Sequence, residues 1–157
     1  MQSWGTWDAS WTWGLGLIAL TIAMHSTGIV AIARALLRIR GEHWSGRIFL
    51  TAPGAIAAIS IVGVALAALH GLECAVWALV YLRLGALGSP ADALLYSVDS
   101  MTTRGASGLT LAPHWLMMGA LEAADGMLLF GASAALLIVV IQRIFAAVFA
   151  PPAPPQA

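Results

Sequence analysis

The 157-residue sequence is 61% hydrophobic and 9% charged, contains no lysine and has a mean hydropathy of +0.90, a composition foreign to water-soluble domains. Seven arginines balance seven acids, so net charge points neither to nucleic acid nor to a polybasic membrane-surface protein. A single cysteine, Cys74 in an apolar run, excludes a disulfide within the chain and disfavours a thiolate metal site; a small buried hydrophobe is expected there.

In chain order, residues 1–12 form an outer N-terminal segment with no basic region ahead of the apolar stretch, so a retained first helix is expected rather than a cleaved signal. Trp4, Trp7, Trp11 and Trp13 suit an interfacial aromatic belt. A span needs roughly 20 apolar residues, and 13–37 supplies the first, with His25 and Thr27 expected to hydrogen-bond between helices. Residues 38–47 form a basic loop; Arg34, Arg38, Arg40 and Arg47 place it in the cytoplasm by the positive-inside rule. The N-terminus then faces outward and the C-terminus, after Arg143, lies in the cytoplasm.

The apolar run 48–84 exceeds the bilayer at about 1.5 Å per residue. One long helix is expected, with Thr51 near the cap, Pro53 in the first turn and Gly71 the weakest point. Ser89-Pro90 opens a short helix over 90–101, and 113–149 is the third span. His43 and Trp44 suit the cytoplasmic interface, as His114 and Trp115 suit the outer one. Residues 150–157 are a Pro-rich tail of polyproline type. A half-helix followed by irregular backbone at membrane depth is tolerated only where protein buries it or it lines water, so 102–108 is expected to be a re-entrant loop.

The order of outer helix, short pore helix, Ser100-x-Thr102-Thr103-x-Gly105 loop and long inner helix resembles the potassium-channel pore module. It resembles in particular the small bacterial two-pore-domain-like ion channels. The flanks that carry the resemblance are His70-x-x-Glu73, Trp77-Ala78, Ala93-Leu94-Leu95-Tyr96-Ser97, Thr102-Thr103, Trp115, Leu121-Glu122-Ala123 and Gly126-x-x-x-Phe130-Gly131. It covers roughly 48–145 of the pore module 48–149, leaving the first span as an extra helix.

The resemblance implies an all-α membrane protein with three transmembrane helices, a re-entrant pore helix and a filter-like loop. It implies a homotetramer in the bacterial inner membrane whose partners are inorganic ions and the lipid bilayer, with no nucleic acid. Thr102, Thr103, Arg104, Gly105, Ala106, Ser107 and Gly108 would form the ion pathway. Gly126 would be the hinge, and Met127, Phe130, Ala134 and Ile138 would line the inner pore, the plainer reading of that stripe being helix packing.

In such a filter, backbone carbonyls replace an ion's hydration shell, and glycines supply the positive φ this requires. Ser107 stands where a glycine is usual, at a cost of about 1 kcal/mol. Ala106 lacks the bracing aromatic ring, and Gly108 replaces the acid of the outer mouth. Arg104 needs a partner, since an unpaired buried charge is costly. Asp99, five residues earlier, is expected to pair with it and brace the loop; alternatively Asp99 faces a vestibule and Arg104 the lumen, where four guanidinium groups oppose cations.

Among the other intramembrane polar residues, His70 and Glu73 at i, i+3 are expected to form a buried bracket with Glu122. Asp125 lies a turn from Glu122. Ser97, Ser100 and Ser107 lack a neighbouring base, and no hydrolase, kinase or nucleotide-binding motif occurs; no enzymatic activity or cofactor is expected, and no metal, since His70, Glu73 and Glu122 are ligands of suitable type but no Glu-x-x-His pair repeats. The leading expectation is an ion channel with doubtful potassium selectivity. The alternatives are an anion-passing or closed pore governed by Arg104, and a nonconducting scaffold or regulatory subunit.

Overall fold

The computed structural model describes residues 4–42, 51–105 and 108–148, and among these there is no β-strand. The chain forms α1 (Trp4–Glu42), α2 (Ala52–Arg83), α3 (Pro90–Met101), a 3-10 turn at Pro113–Trp115 and α4 (Leu116–Val148). Three helices are long and apolar enough to cross a membrane, through Ala9–Arg38, Ala52–Arg83 and Pro113–Ala146.

Local chemistry sets most of the ends. Thr51 is the N-cap of α2, its side chain accepting from the Gly54 N–H at 3.3 Å with Pro53 in the first turn. The helix therefore starts at Ala52 rather than 48, and it runs unbroken through Gly71 to Arg83. Ser89 caps α3 by accepting from the Asp92 N–H at 3.4 Å, and Pro90 supplies a first helical residue that needs no donor. Helix α1 extends beyond the expected 13–37 at both ends, because no proline interrupts 4–42. It takes in most of the segment assigned to the outer N-terminus and part of the basic loop; His43, Trp44 and Arg47 lie outside the described residues.

Polar contacts fix the register. Ser10 donates to the His114 carbonyl at 2.7 Å, Thr21 meets Asp125 at 2.6 Å and His25 meets Ser133 at 3.2 Å, so α1 and α4 advance in parallel. Helix α2 runs the other way, with Tyr81 at Glu122, Trp77 at Asp125 and His70 at Ser133. Leu17, Cys74, Trp77, Tyr81, Met101, Met118 and Leu129 form the core between them. The Cys74 thiol is buried within 3.5 Å of the Met101 sulfur, as the small buried hydrophobe expected from the sequence.

Helix α3 lies against α2 and α4 at close range. Ser97 donates to the Cys74 carbonyl at 2.9 Å and Ser100 to the Gly119 carbonyl at 2.8 Å. A Cβ on Gly119 would strike the Tyr96 hydroxyl, and one on Gly126 would strike the Met101 carbonyl oxygen. These two glycines let α4 approach α3; Gly131 has open space around its Cα and plays no such part. The outward surface is apolar: Ile56 is 65% exposed, Val64 71% and Met127 62%.

Candidate functional site

Two regions hold the chemistry: the loop that leaves α3, and a seam of buried polar side chains between the long helices. The loop begins as a Schellman turn. The Thr103 N–H donates to the Ser100 carbonyl at 2.8 Å and the Arg104 N–H to the Asp99 carbonyl at 2.9 Å, satisfying two carbonyls that the helix end would otherwise leave open. Such a turn needs one left-handed residue, usually glycine. Here it is Thr103, with φ +56°, the only non-glycine residue with positive φ among those described.

Gly105 and Gly108 follow with φ of +61° and +72°. The Thr102 hydroxyl turns back on α3, 2.7 Å from the Val98 carbonyl. Thr102 to Gly105 and Gly108 are exposed in the single chain; Ala106 and Ser107 lie outside the described residues. Left-handed strain is present at Thr103; the expectation at Ser107 falls outside the described residues.

Arg104 Nε donates to Asp99 Oδ1 in an ion pair. Asp99 is 2% exposed while the Arg104 side chain is 59% exposed, so the carboxylate is buried and the guanidinium is not. Asp99 thus holds Arg104 twice, through its carbonyl to the backbone and through its carboxylate to the side chain. The expectation of a wholly buried pair is corrected to this half-buried clip, the long arginine stem letting its head reach solvent.

The seam runs along all three long helices. Near α3, Tyr81 donates to Glu122 Oε2 at 2.7 Å, and Ser97 contacts Glu122 Oε1. One level further along α4, Trp77 Nε1 donates to Asp125 Oδ2 at 3.1 Å and Thr21 meets the same oxygen. Beyond that, His25 Nδ1 lies 2.9 Å from Glu73 Oε1, and His70 Nδ1 lies 3.1 Å from Glu73 Oε2. The hydroxyl of Ser133 meets both rings at the other side, 3.2 Å from His25 Nε2 and 3.0 Å from His70 Nε2.

The bracket expected from His70, Glu73 and Glu122 is therefore corrected. The antiparallel register of α2 and α4 puts Glu122 beside Tyr81, about two helical turns from Glu73, and it is His25 of α1 and Ser133 of α4 that complete the cluster. Thr27, expected to bond between helices, instead donates to the Ala23 carbonyl of its own helix at 2.8 Å. Ser97, set aside for want of a neighbouring base, touches a buried carboxyl from another helix.

His25, His70 and Glu73 are all buried and offer three ligand atoms within 4.8 Å of one another. Phe130 stacks on His70 with ring centroids 4.2 Å apart. Met127, Phe130, Ala134 and Ile138 are exposed on α4, and Gly126 sits within the unbroken helix, facing Met101.

The missed partners carried a signal. The buried positions of α2 fall at Leu66, His70, Glu73, Trp77 and Tyr81, those of α4 at Met118, Glu122, Asp125, Leu129 and Ser133, and those of α1 at Ser10, Gly14, Leu17, Thr21 and His25. Each set steps by three or four residues, one face of a helix, and on each the polar side chains are concentrated. Comparison of the chain with family models, with curated proteins and with solved structures found no match to any of them.

Proposed function

We propose that the chain is one subunit of an oligomeric ion-conducting pore in a bacterial inner membrane, similar in plan to the potassium-channel pore module. One observation carries the reading. Helix α3 starts at Pro90, seven residues after α2 ends at Arg83, and its last residue, Met101, reaches Cys74 and Gly126. Cys74 lies nine residues before Arg83, about 14 Å along the helix, which is near half the thickness of a hydrocarbon core. The chain then returns to Ala112, whose N–H donates to the Ala86 carbonyl at 3.4 Å.

Exposed, irregular backbone at Thr102 to Gly105 would thus lie at membrane depth, where lipid cannot hydrogen-bond it. Copies of the chain around a water-lined axis resolve this conflict, and four is the number the resemblance implies. The outward face of α3, with Leu94, Leu95 and Val98 exposed, would pack on the neighbouring copy. The positive-inside rule orients the assembly with its N-terminus outside and its C-terminus in the cytoplasm.

A second reading rests on Arg104. Its exposed guanidinium, repeated around an axis, opposes cations and favours anions or a closed state. The deciding experiment measures the oligomer in detergent, then follows potassium, sodium and chloride flux in liposomes for wild type and Arg104→Val. Potassium or sodium flux in wild type supports a cation pore. A silent oligomer opened by the substitution supports the Arg104 reading, and a monomer without flux rejects both.

A further inference from the structure

The structure assigns to His25, His70 and Glu73 a binding site for one divalent transition-metal ion of the zinc type, with Ser133 as the acceptor that orients both imidazoles. The four side chains close a ring. Each carboxylate oxygen of Glu73 faces the Nδ1 of one histidine, and the Nε2 of each histidine faces the Ser133 hydroxyl. The residues come from all three long helices and lie at the middle of their apolar spans.

Counting hydrogens shows what the ring lacks. Two neutral imidazoles bring one N–H each and serine brings one O–H. If both Nδ1 atoms donate to the carboxylate, one serine hydrogen faces two Nε2 acceptors and one contact stays empty. If an Nε2 carries the hydrogen instead, that Nδ1 faces a carboxylate oxygen lone pair to lone pair. Consistent with this shortfall, His70 Nδ1 and Glu73 Oε2 are buried without a hydrogen-bond partner among the described residues, 3.1 Å apart but poorly aligned.

A cation on the Nδ1 side removes the conflict. It takes the lone pairs of both Nδ1 atoms and of the carboxylate, leaving both Nε2–H groups to donate to the two lone pairs of Ser133 Oγ. That is the arrangement expected of metal-bound histidine, whose second nitrogen donates to an outer acceptor. Two imidazoles and one carboxylate suit zinc-like ions, with a fourth position open, whereas calcium and magnesium prefer all-oxygen sites. The site stands independently of whether the loop after α3 conducts.

The test uses the untagged, full-length protein in detergent, stripped with a chelator and dialysed against Co²⁺ as a spectroscopic probe and against Zn²⁺. One equivalent per chain is expected, with visible d–d absorption of a four- or five-coordinate ion, and Zn²⁺ should displace Co²⁺. His25→Asn and Glu73→Gln should abolish uptake, while His114→Asn, on the exposed outer turn, should retain it. Helix content and elution volume establish that each variant is folded. Should the ligand variants fail to fold, Ser133→Ala keeps all three ligands and should weaken binding about 10- to 100-fold. Wild type that takes up neither ion overturns the proposal, as does undiminished uptake in folded His25→Asn. Nitrogen-15 spectra showing a shared imidazolium proton in metal-free wild type, with no change on adding Zn²⁺, would assign the ring to a proton and overturn it as well.

Discussion

The seam and the loop after α3 are both polar, yet they are held in opposite ways. In the seam, each carboxyl is gripped from other helices: Glu122 by Tyr81 of α2 and Ser97 of α3, Asp125 by Trp77 of α2 and Thr21 of α1, and Glu73 by His25 of α1, with His70 of its own helix beside it. The start of the loop, Thr102 to Gly105, is held from α3 alone, by the carbonyls of Val98, Asp99 and Ser100 and the carboxylate of Asp99, and is otherwise exposed. Polar groups that a chain satisfies internally specify how its helices register, whereas polar groups it leaves open at membrane depth call for water or another copy.

The contrast is best broken where the helices come closest. Gly126→Ala would drive a methyl group into the backbone carbonyl of Met101, which cannot swing aside, and should cost about 3 kcal/mol. Tryptophan-monitored unfolding in SDS would measure this, and wild-type stability in the variant would refute the close approach. Glu122→Met should cost about 2 kcal/mol in the same assay, because the Tyr81 hydroxyl loses its acceptor inside the protein; Glu122→Gln, which keeps an acceptor, should cost less.

Changes in the loop should act in the other direction or weakly. Thr103→Gly relieves the left-handed conformation and should raise stability by about 1 kcal/mol; a loss would argue against the Schellman turn. Asp99→Asn, with the arginine head largely in solvent, should cost under about 1 kcal/mol through the ion pair and should register chiefly in liposome flux as Arg104 is released. Smallest of all, Gly131→Ala enters open space and should stay within about 0.5 kcal/mol of wild type. Its contrast with Gly126→Ala separates contact from helix propensity.

Elements that announce themselves locally were legible. Ser89-Pro90 and the glycine- and threonine-rich stretch bracket α3 at the same residues, Pro90 and Met101, in sequence and structure, and Thr51 with Pro53 marks the start of α2. What was not legible is which polar residues meet. The long helices are apolar nearly all round, so hydrophobic periodicity names no buried face, and the depth offset between spans is a tertiary quantity. That is why His70 and Glu73 were matched with Glu122 instead of with His25 and Ser133. In the loop, left-handed backbone falls on Gly105 and Gly108 as the glycines suggested, and helix termination adds a further left-handed residue at Thr103.

The seam also constrains how the protein is made. An acidic side chain near the centre of a span costs roughly 2.5–3.5 kcal/mol to insert alone, and α4 carries both Glu122 and Asp125 while their donors, Tyr81, Trp77 and Thr21, belong to helices synthesised earlier. Of the three spans, α4, made after the other two, is thus the one that needs its predecessors most. Biogenesis of this chain should depend on α1 and α2 waiting beside the insertion site, so that α4 enters the bilayer against a ready-made hydrogen-bonding partner and not against lipid.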